Sequence, residues 1–297
     1  METESRNKKT RDLQAKSTRD LLRLINEEDK KIAEAVRETI PRIKDVINKF
    51  VSTFKSGGTI YYVGAGTSGR LGVLDAAEIP PTFGVPDDRV VGLIAGGEEA
   101  FTSAQEGRED DRLAGKKLTE ENDISEDDLV IGISASGRTP FVLGCLEAAD
   151  DAGAATASIT NNKGQPIVKP SDVSVALETG PEVIAGSTRM KAGTAQKMVL
   201  NMISTVSMIK LGKVYDNLMV DVVASNEKLK ERARRILREL TEADEVEIEK
   251  TLEASNYEVK PAVLVLKGRL SVKKARKLLE SHGGYLDSAL KDLEERG

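Results

Sequence analysis

The sequence predicts an α/β fold: a doubly wound, mainly parallel sheet of five strands, preceded by helices and followed by a small helical bundle. Three observations carry this. Short apolar runs rich in β-branched residues alternate with helical patterns from Thr59 to about Ala176, as in successive β–α–β units. Two of the runs lead into loops of glycine and hydroxyl residues, at the strand ends where such sheets bind ligands. From about Asn226 the composition shifts to charged residues on amphipathic helical repeats. The chain divides accordingly into a helical segment (1–58), a sheet domain (59–225) and a small helical domain (226–297).

Taken in order, Ser17-Thr18-Arg19-Asp20 resembles a capping pattern ahead of Leu21, Leu22, Leu24 and Ile25. Ile32, Val36, Ile40, Ile43, Ile47, Phe50 and Phe54 then recur at steps of three and four, one apolar face of a long helix. Pro41 is expected to kink it, and Gly57-Gly58 to stop it. The expected strands are Thr59–Val63, Val90–Ile94, Leu129–Ile133, Ala155–Thr160 and Val173–Ala176, with a helix over Thr139–Gly153 among those that fill the gaps. A long polar loop, Gly180–Thr194, leads into a buried helix near Ala195–Leu211. Three short amphipathic helices are expected beyond it, near Lys228–Leu240, Asp244–Ala254 and Val272–Ser281.

The first loop, Gly64-Ala65-Gly66-Thr67-Ser68-Gly69, joins a buried-looking strand to a helix start. Glycines allow close backbone approach, the first N–H groups of the helix point outward, and the helix dipole favours negative charge. Gly66, Thr67 and Ser68 are therefore candidate anion-binding residues. The spacing is not that of a dinucleotide fingerprint, and no Gly-Lys-Ser/Thr ending makes it a P-loop. The second loop, Ser134-Ala135-Ser136-Gly137-Arg138-Thr139-Pro140, repeats the design. Thr139 suits a helix cap and Pro140 the first helical position. Ser134, Ser136, Gly137 and Thr139 are the candidates here. One such loop is an ordinary strand-to-helix turn; two in one chain favour a bound phosphosugar.

Composition narrows the classes. A formal net charge of −5 disfavours a nucleic-acid partner. There is no apolar run of membrane-spanning length, and Met1–Lys16 is polar rather than a signal peptide, so a soluble cytoplasmic protein with no membrane partner is expected. The one cysteine, Cys145, excludes an intramolecular disulfide and sits in an apolar helical stretch that suits core packing. The one histidine, His282, beside Gly283-Gly284, reads as a helix C-terminal residue. No His/Cys cluster exists to hold a transition metal, so no metal site is expected.

Both loops resemble those of the sugar isomerase (SIS) superfamily. The likeness extends through Asp75-Ala76-Ala77-Glu78-Ile79-Pro80-Pro81-Thr82-Phe83-Gly84, Gly92–Gly97, Ser134–Pro140, Gly186-Ser187-Thr188-Arg189, Asn217-Leu218-Met219-Val220-Asp221 and the N-terminal Thr3-Glu4-Ser5-Arg6-Asn7. In register over essentially the whole chain, these stretches resemble the N-acetylmuramic acid 6-phosphate etherase family. Its members commonly carry Cys where this chain has Ile79, a position outside the family's catalytic pair. The resemblance implies a cofactor-independent lyase that cleaves the lactyl ether of N-acetylmuramic acid 6-phosphate, a homodimer, Glu78 as general acid, Glu109 as general base, and Ser187 among the binding residues.

The chemistry is consistent with that pair. In the open-chain sugar a base must take the acidic hydrogen beside the aldehyde, and an acid must protonate the departing lactate oxygen. Two carboxyl groups in different environments divide those roles. Glu78 lies beside Ile79-Pro80-Pro81, a setting expected to favour the neutral acid. Glu109 has Arg108 and Arg112 nearby, which favours the anion. Without the resemblance neither stands out among 49 acidic residues, and Asp75 and Glu106 are rivals. Arg189 and Lys191 suit either an anion contact or a structural cap. A non-catalytic phosphosugar-binding regulator and an aldose–ketose isomerase are the alternative readings on this scaffold.

Overall fold

The computed structural model describes residues 1–103, 105–222, 224 and 226–296. Two helices open the chain, α1 (Thr18–Arg37) and α2 (Ile40–Ser56). Ser17 caps α1 by accepting a hydrogen bond from the Asp20 N–H. The continuous kinked helix expected here is in fact two helices. Pro41 lies in the first turn of α2, where its missing N–H costs nothing, so it begins a helix rather than bending one. Gly57, at φ +97°, ends α2 in the left-handed region.

Five strands follow with their helices: β1 (Ile60–Gly64), α3 (Gly66–Phe83), β2 (Val90–Ile94), α4 (Glu99–Thr102), α5 (Arg112–Glu121), β3 (Leu129–Ser134), α6 (Pro140–Asp151), β4 (Ala155–Thr160) and β5 (Val173–Ala176). They pair in the order β2-β1-β3-β4-β5, all parallel, with Ile60 opposite both Val90 and Leu129, and Leu129 opposite Ala155. Alternation along the strands sends side chains to opposite faces. Tyr61, Val63 and Val130 form one core with Phe141, Val142, Cys145 and Leu146 of α6. On the other face α3 comes so close that a Cβ on Gly72 would lie 3.0 Å from Tyr62 Cβ and 3.2 Å from Ile133 Cδ1. Helices on both faces make the sheet doubly wound, as expected.

Helix α5 packs on α6 through two glycines. A Cβ at Gly115 would lie 2.0 Å from the Phe141 carbonyl oxygen, and one at Gly144 would lie 2.1 Å from that of Arg112. Cys145 is fully buried in this contact, its sulfur 3.3 Å from Thr119 Oγ1, and burial pushes the thiol up to about 11.

Beyond the sheet come α7 (Lys191–Lys210), a short antiparallel pair β6 (Val214–Tyr215) and β7 (Leu218–Met219), then α8 (Glu227–Leu240), α9 (Glu245–Ala254), α10 (Val259–Gly268), α11 (Val272–Ser281) and α12 (Leu286–Arg296). The three expected C-terminal helices are present, and α10 and α12 join them. The apolar run of α10 shows no amphipathic periodicity because Val259, Pro261, Ala262, Val263 and Leu264 are all buried. His282 caps α11 and bonds Asp292 at 3.0 Å.

The chain forms two compact units, Met1–Ala77 with Asp87–Thr205, and Glu78–Pro86 with Val206–Gly297. The first carries the sheet. The second has its own core of Val220, Ile236, Leu237, Leu252, Val263, Leu264, Leu286 and Ala289. Ser225, the end of the sheet domain expected from sequence, lies outside the described residues.

Candidate active site

Strand order reverses between β1 and β3: the chain leaves β1 for β2 on one side, then returns to β3 on the other. The carboxyl ends of strands at such a switch point flank a crevice. Both hydroxyl loops sit there, one after β1 and one after β3.

In the first loop Gly66 begins α3 at φ +53°. The turn is tight: a Cβ on Gly69 would lie 2.8 Å from the Gly64 carbonyl oxygen and 2.6 Å from Ile94 Cγ1. The opening N–H groups of α3 have no partner within the helix and are available to an anion. Thr67 packs its methyl on the opening of α7, 3.3 Å from where a Cβ of Gly193 would stand. Ser68 is turned inward. It is 8% exposed and donates to Gln196 Oε1 at 2.9 Å, and Gln196 in turn donates to Asn161 Oδ1 at 2.9 Å. Its only proton is thereby used inside the protein.

The second loop gathers its hydroxyls. Ser134 Oγ lies 2.7 Å from Thr139 Oγ1 and 3.3 Å from Ser136 Oγ, and accepts from the Gly137 N–H at 3.0 Å. Ser136 Oγ accepts from the Arg138 N–H at 3.1 Å. Thr139 holds the N-cap position of α6 but makes no side-chain cap, because its hydroxyl faces Ser134 instead. Arg138 Nε donates to Gln165 Oε1 at 2.6 Å. Gly137 is left-handed at φ +68°.

Between β5 and α7 runs a third loop with Ser187 half-buried and Arg189 exposed. Arg189 has no ion-pair partner among the described residues. Lys191 differs: it is 1% exposed and its Nζ lies 2.9 Å from Glu28 Oε2. Burial pushes the Glu28 carboxyl up, yet hydrogen bonds from Lys31, Lys191 and Asn7 outweigh it and hold the group down at about 2. Glu182, fully buried, accepts from the Lys191 and Ala192 N–H groups and caps α7. Lys191 therefore anchors the loop, and its ammonium is committed to Glu28.

The two candidate acid–base carboxylates are both exposed. Glu78 lies on α3 in the second unit, followed by Pro80 and Pro81, which deprive the helix of two backbone donors. The apolar surroundings expected for it are not seen: Ile79 is buried at 2% exposure while Glu78 points outward. Glu109 lies in the first unit on a 3₁₀ turn, Arg108–Asp110, directly before α5. Asp111 caps α5 by accepting from the Ala114 N–H at 2.9 Å, and Arg112 pairs with Glu147 of α6. The turn is thereby fixed to the helix that leaves the second loop. Of the rivals, Glu106 is exposed. Asp75 is 6% exposed and accepts from Asn201 at 2.8 Å and Ser204 at 3.1 Å. Burial raises its carboxyl above the ordinary range, against those two hydrogen bonds.

Sequence reasoning missed the buried amides Asn161, Asn162 and Gln196 and the carboxylate Glu28. The Asn161-Asn162 pair directly after β4 was a visible signal, since polar side chains at the carboxyl end of a parallel strand face the crevice. Glu28 gave none, standing within Glu27-Glu28-Asp29-Lys30-Lys31. Among the described residues no cluster of metal-ligating side chains occurs, and no helix is long and apolar enough to cross a membrane.

The family profile of the glucokinase regulatory protein N-terminal SIS domain matches residues 42–150, and the SIS domain profile matches residues 114–206. The N-acetylmuramic acid 6-phosphate etherase of Caldanaerobacter subterraneus is 54% identical over 99% of this chain and 97% of its own length. That of Clostridium botulinum strain Loch Maree is 50% identical over 98% and 96%. Among solved structures, a phosphoheptose isomerase from Francisella tularensis shares the fold at a TM-score of 0.50 and 15% identity, over 65% of this chain and 100% of its own. A protein of E. coli CFT073 does so at 0.50 and 19%, over 68% and 97%.

Proposed function

Since the chain belongs to the N-acetylmuramic acid 6-phosphate etherase family, we propose that it cleaves the D-lactyl ether of that phosphosugar, giving N-acetylglucosamine 6-phosphate and D-lactate. The protein is a carbon–oxygen lyase of the SIS fold with a small phosphosugar as substrate. The observation that carries the site is the hydroxyl loop Ser134–Thr139 at the β1/β3 switch point, beside the uncapped start of α3. The phosphate is read as held there, by Ser134, Ser136, Thr139, the Gly137 region and the first N–H groups after Gly66, with Thr67 and Ser187 at the margin. Ser68 supports the site from beneath.

The reaction then runs as an elimination followed by hydration. Glu109 removes the hydrogen on the carbon beside the aldehyde, and the electron pair expels the lactate oxygen one carbon further on. Glu78 supplies the proton that lactate leaves with. Water then adds at the carbon lactate has left, giving up a proton to Glu78 while the carbon beside the aldehyde takes back the proton held by Glu109, so both carboxyl groups return to their starting states. Every charge change is carried by the two carboxyl groups and the sugar, so the residues named need no cofactor. A phosphorylated, charged substrate suits a cytoplasmic enzyme of cell-wall amino-sugar catabolism.

A homodimer is part of the same reading. Ile40, Leu74 and Ile209, on three different helices, are 50%, 46% and 45% exposed, and the etherase family resemblance is what supports a symmetric pair. Light scattering on the active protein at micromolar concentration tests this, and a monomer would count against it.

Incubation with N-acetylmuramic acid 6-phosphate and an assay for D-lactate tests the activity. Binding without lactate release would favour a phosphosugar-binding regulator. Conversion of an aldose to a ketose phosphate without lactate would favour an isomerase.

A further inference from the structure

Thr3, a small polar residue outside any helix or strand, is fully buried. Its surroundings explain why. Asn162, directly after β4 and 4% exposed, uses all of its amide. Its Nδ2 donates to the Ala135 carbonyl oxygen of the second loop at 2.9 Å and to Thr3 Oγ1 at 3.0 Å. Its Oδ1 accepts from the N–H groups of Glu2 at 2.8 Å and Thr3 at 3.4 Å. The Thr3 carbonyl oxygen then accepts from the Gly186 N–H of the third loop at 3.4 Å. A continuous polar path thus joins the second loop to the third through the N-terminal segment.

The same segment touches the third loop twice more. Asn7, 8% exposed, donates to the Pro181 carbonyl oxygen at 3.4 Å and to Glu28 Oε2 at 3.0 Å, the oxygen that also receives Lys191 Nζ. Thr10 Oγ1 donates to the Val183 carbonyl oxygen at 2.8 Å. Within the loop the backbone bonds are short-range, such as Ser187 N–H to Ile184 and Thr188 N–H to Gly186. Such bonds curl a loop but do not fix where it stands.

We propose that residues Glu2–Thr10 form a strap that sets the place of the third loop against the second, with Thr3 and Asn7 as its positioning residues. The strap holds Gly186 and Ser187 where they meet the phosphosugar held by the second loop. This rests on the reading of the third loop as a substrate loop.

Two measurements on the full chain test it together. Thr3→Val removes the hydroxyl that Asn162 reaches while keeping the shape. Hydrogen exchange in peptides covering 181–190 is expected to quicken about tenfold, with peptides from β1 and β3 unchanged, and KM for N-acetylmuramic acid 6-phosphate to rise about tenfold with kcat within about twofold. Thr3→Ser is expected to restore both, and Lys8→Ala, on the exposed side of the strap, to change neither. Should Thr3→Val fail to fold by circular dichroism, Thr10→Val carries the same expectation. Unchanged exchange in a folded variant overturns the strap. Quickened exchange with unchanged KM overturns its role toward substrate. Absence of lactate from the unaltered protein sinks the functional reading instead, and exchange still decides the strap.

Discussion

Lys191 and Glu28 form a buried ion pair, Nζ to Oε2 at 2.9 Å, with 1% and 4% of their side chains exposed. The lysine begins α7, the glutamate lies on α1, and the pair closes the base of the loop that carries Ser187. Breaking a buried pair from one side leaves a charge without compensation. Glu28→Gln should therefore lower stability by about 3–5 kcal/mol near neutral pH. The carboxyl of Glu28 is held down at about 2, below its unfolded range. Its contribution is thus present above about pH 4.5 and is lost as pH falls toward about 2. Denaturant melts at pH 7 and pH 3 should show the penalty shrinking in acid. An equal penalty at both values would contradict the assignment.

Asp75 should behave with the opposite sign. Its carboxyl is raised by burial, so its ionisation opposes folding once pH passes the unfolded value, and that cost grows until the folded value is passed. Asp75 Oδ2 and Tyr62 Oη are both buried without a well-formed hydrogen bond. Asn at position 75 keeps the acceptor for Asn201 and Ser204 and gains a donor on the other side. Asp75→Asn is expected to melt at or above the temperature of the unaltered protein at pH 7, with any advantage vanishing near pH 3. A large loss of stability at pH 7 would show that the charged carboxylate is required.

The hydroxyls of the two loops should separate in their effects. Ser136→Ala removes a hydroxyl from the open cluster around Ser134 and should weaken phosphosugar binding by about 1–3 kcal/mol, roughly a 5-fold to 150-fold rise in KM, with little change in melting. Ser68→Ala strips Gln196 of a buried partner and should cost about 1–3 kcal/mol of stability, with a smaller effect on KM. Parallel Michaelis and melting measurements check both. The reverse pattern would place the phosphate on the first loop.

Acid and base can be told apart in heavy water. Glu109→Gln should stop exchange of the hydrogen beside the sugar carbonyl and all lactate release. Glu78→Gln should block lactate yet still permit slow exchange, followed by NMR. Either variant should lose about 10²–10⁴-fold in turnover. Exchange in the Glu109 variant alone would reverse the roles, and near-normal lactate release from both would return attention to Asp75 and Glu106.

Much of this fold was legible because the strands are short runs with β-branched residues bounded by turn-forming residues. Val90–Ile94, Ala155–Thr160 and Val173–Ala176 need no adjustment between sequence and structure. What was not legible depended on long-range partners. Pro41 reads as a kink until α1 is seen to end at Arg37, and α10 shows no periodicity because its opening turns are buried all round. The loops carry a physical signature in their glycines and hydroxyls. That Ser68 faces Gln196, 128 residues away, leaves no local trace. The two glutamates stand out through likeness to a family, since an exposed carboxylate looks the same wherever it lies.

The α5/α6 contact gives a test of packing that is independent of the chemistry. Gly115→Ala would force a methyl to within 2.0 Å of the Phe141 carbonyl oxygen, backbone that cannot swing aside. A loss of about 1–3 kcal/mol or more is expected in denaturant melts. A neutral result would mean the two helices can slide apart without penalty.

That same contact hides the one thiol in the chain. Held protonated and out of reach beside Thr119, Cys145 should stay silent toward maleimides while the fold is intact. The natural protein is then already a clean background for site-directed labelling. One cysteine introduced at an exposed position of the strap or of the third loop would carry a dye with no competing site. Labelling of this kind needs nothing deleted from the core first.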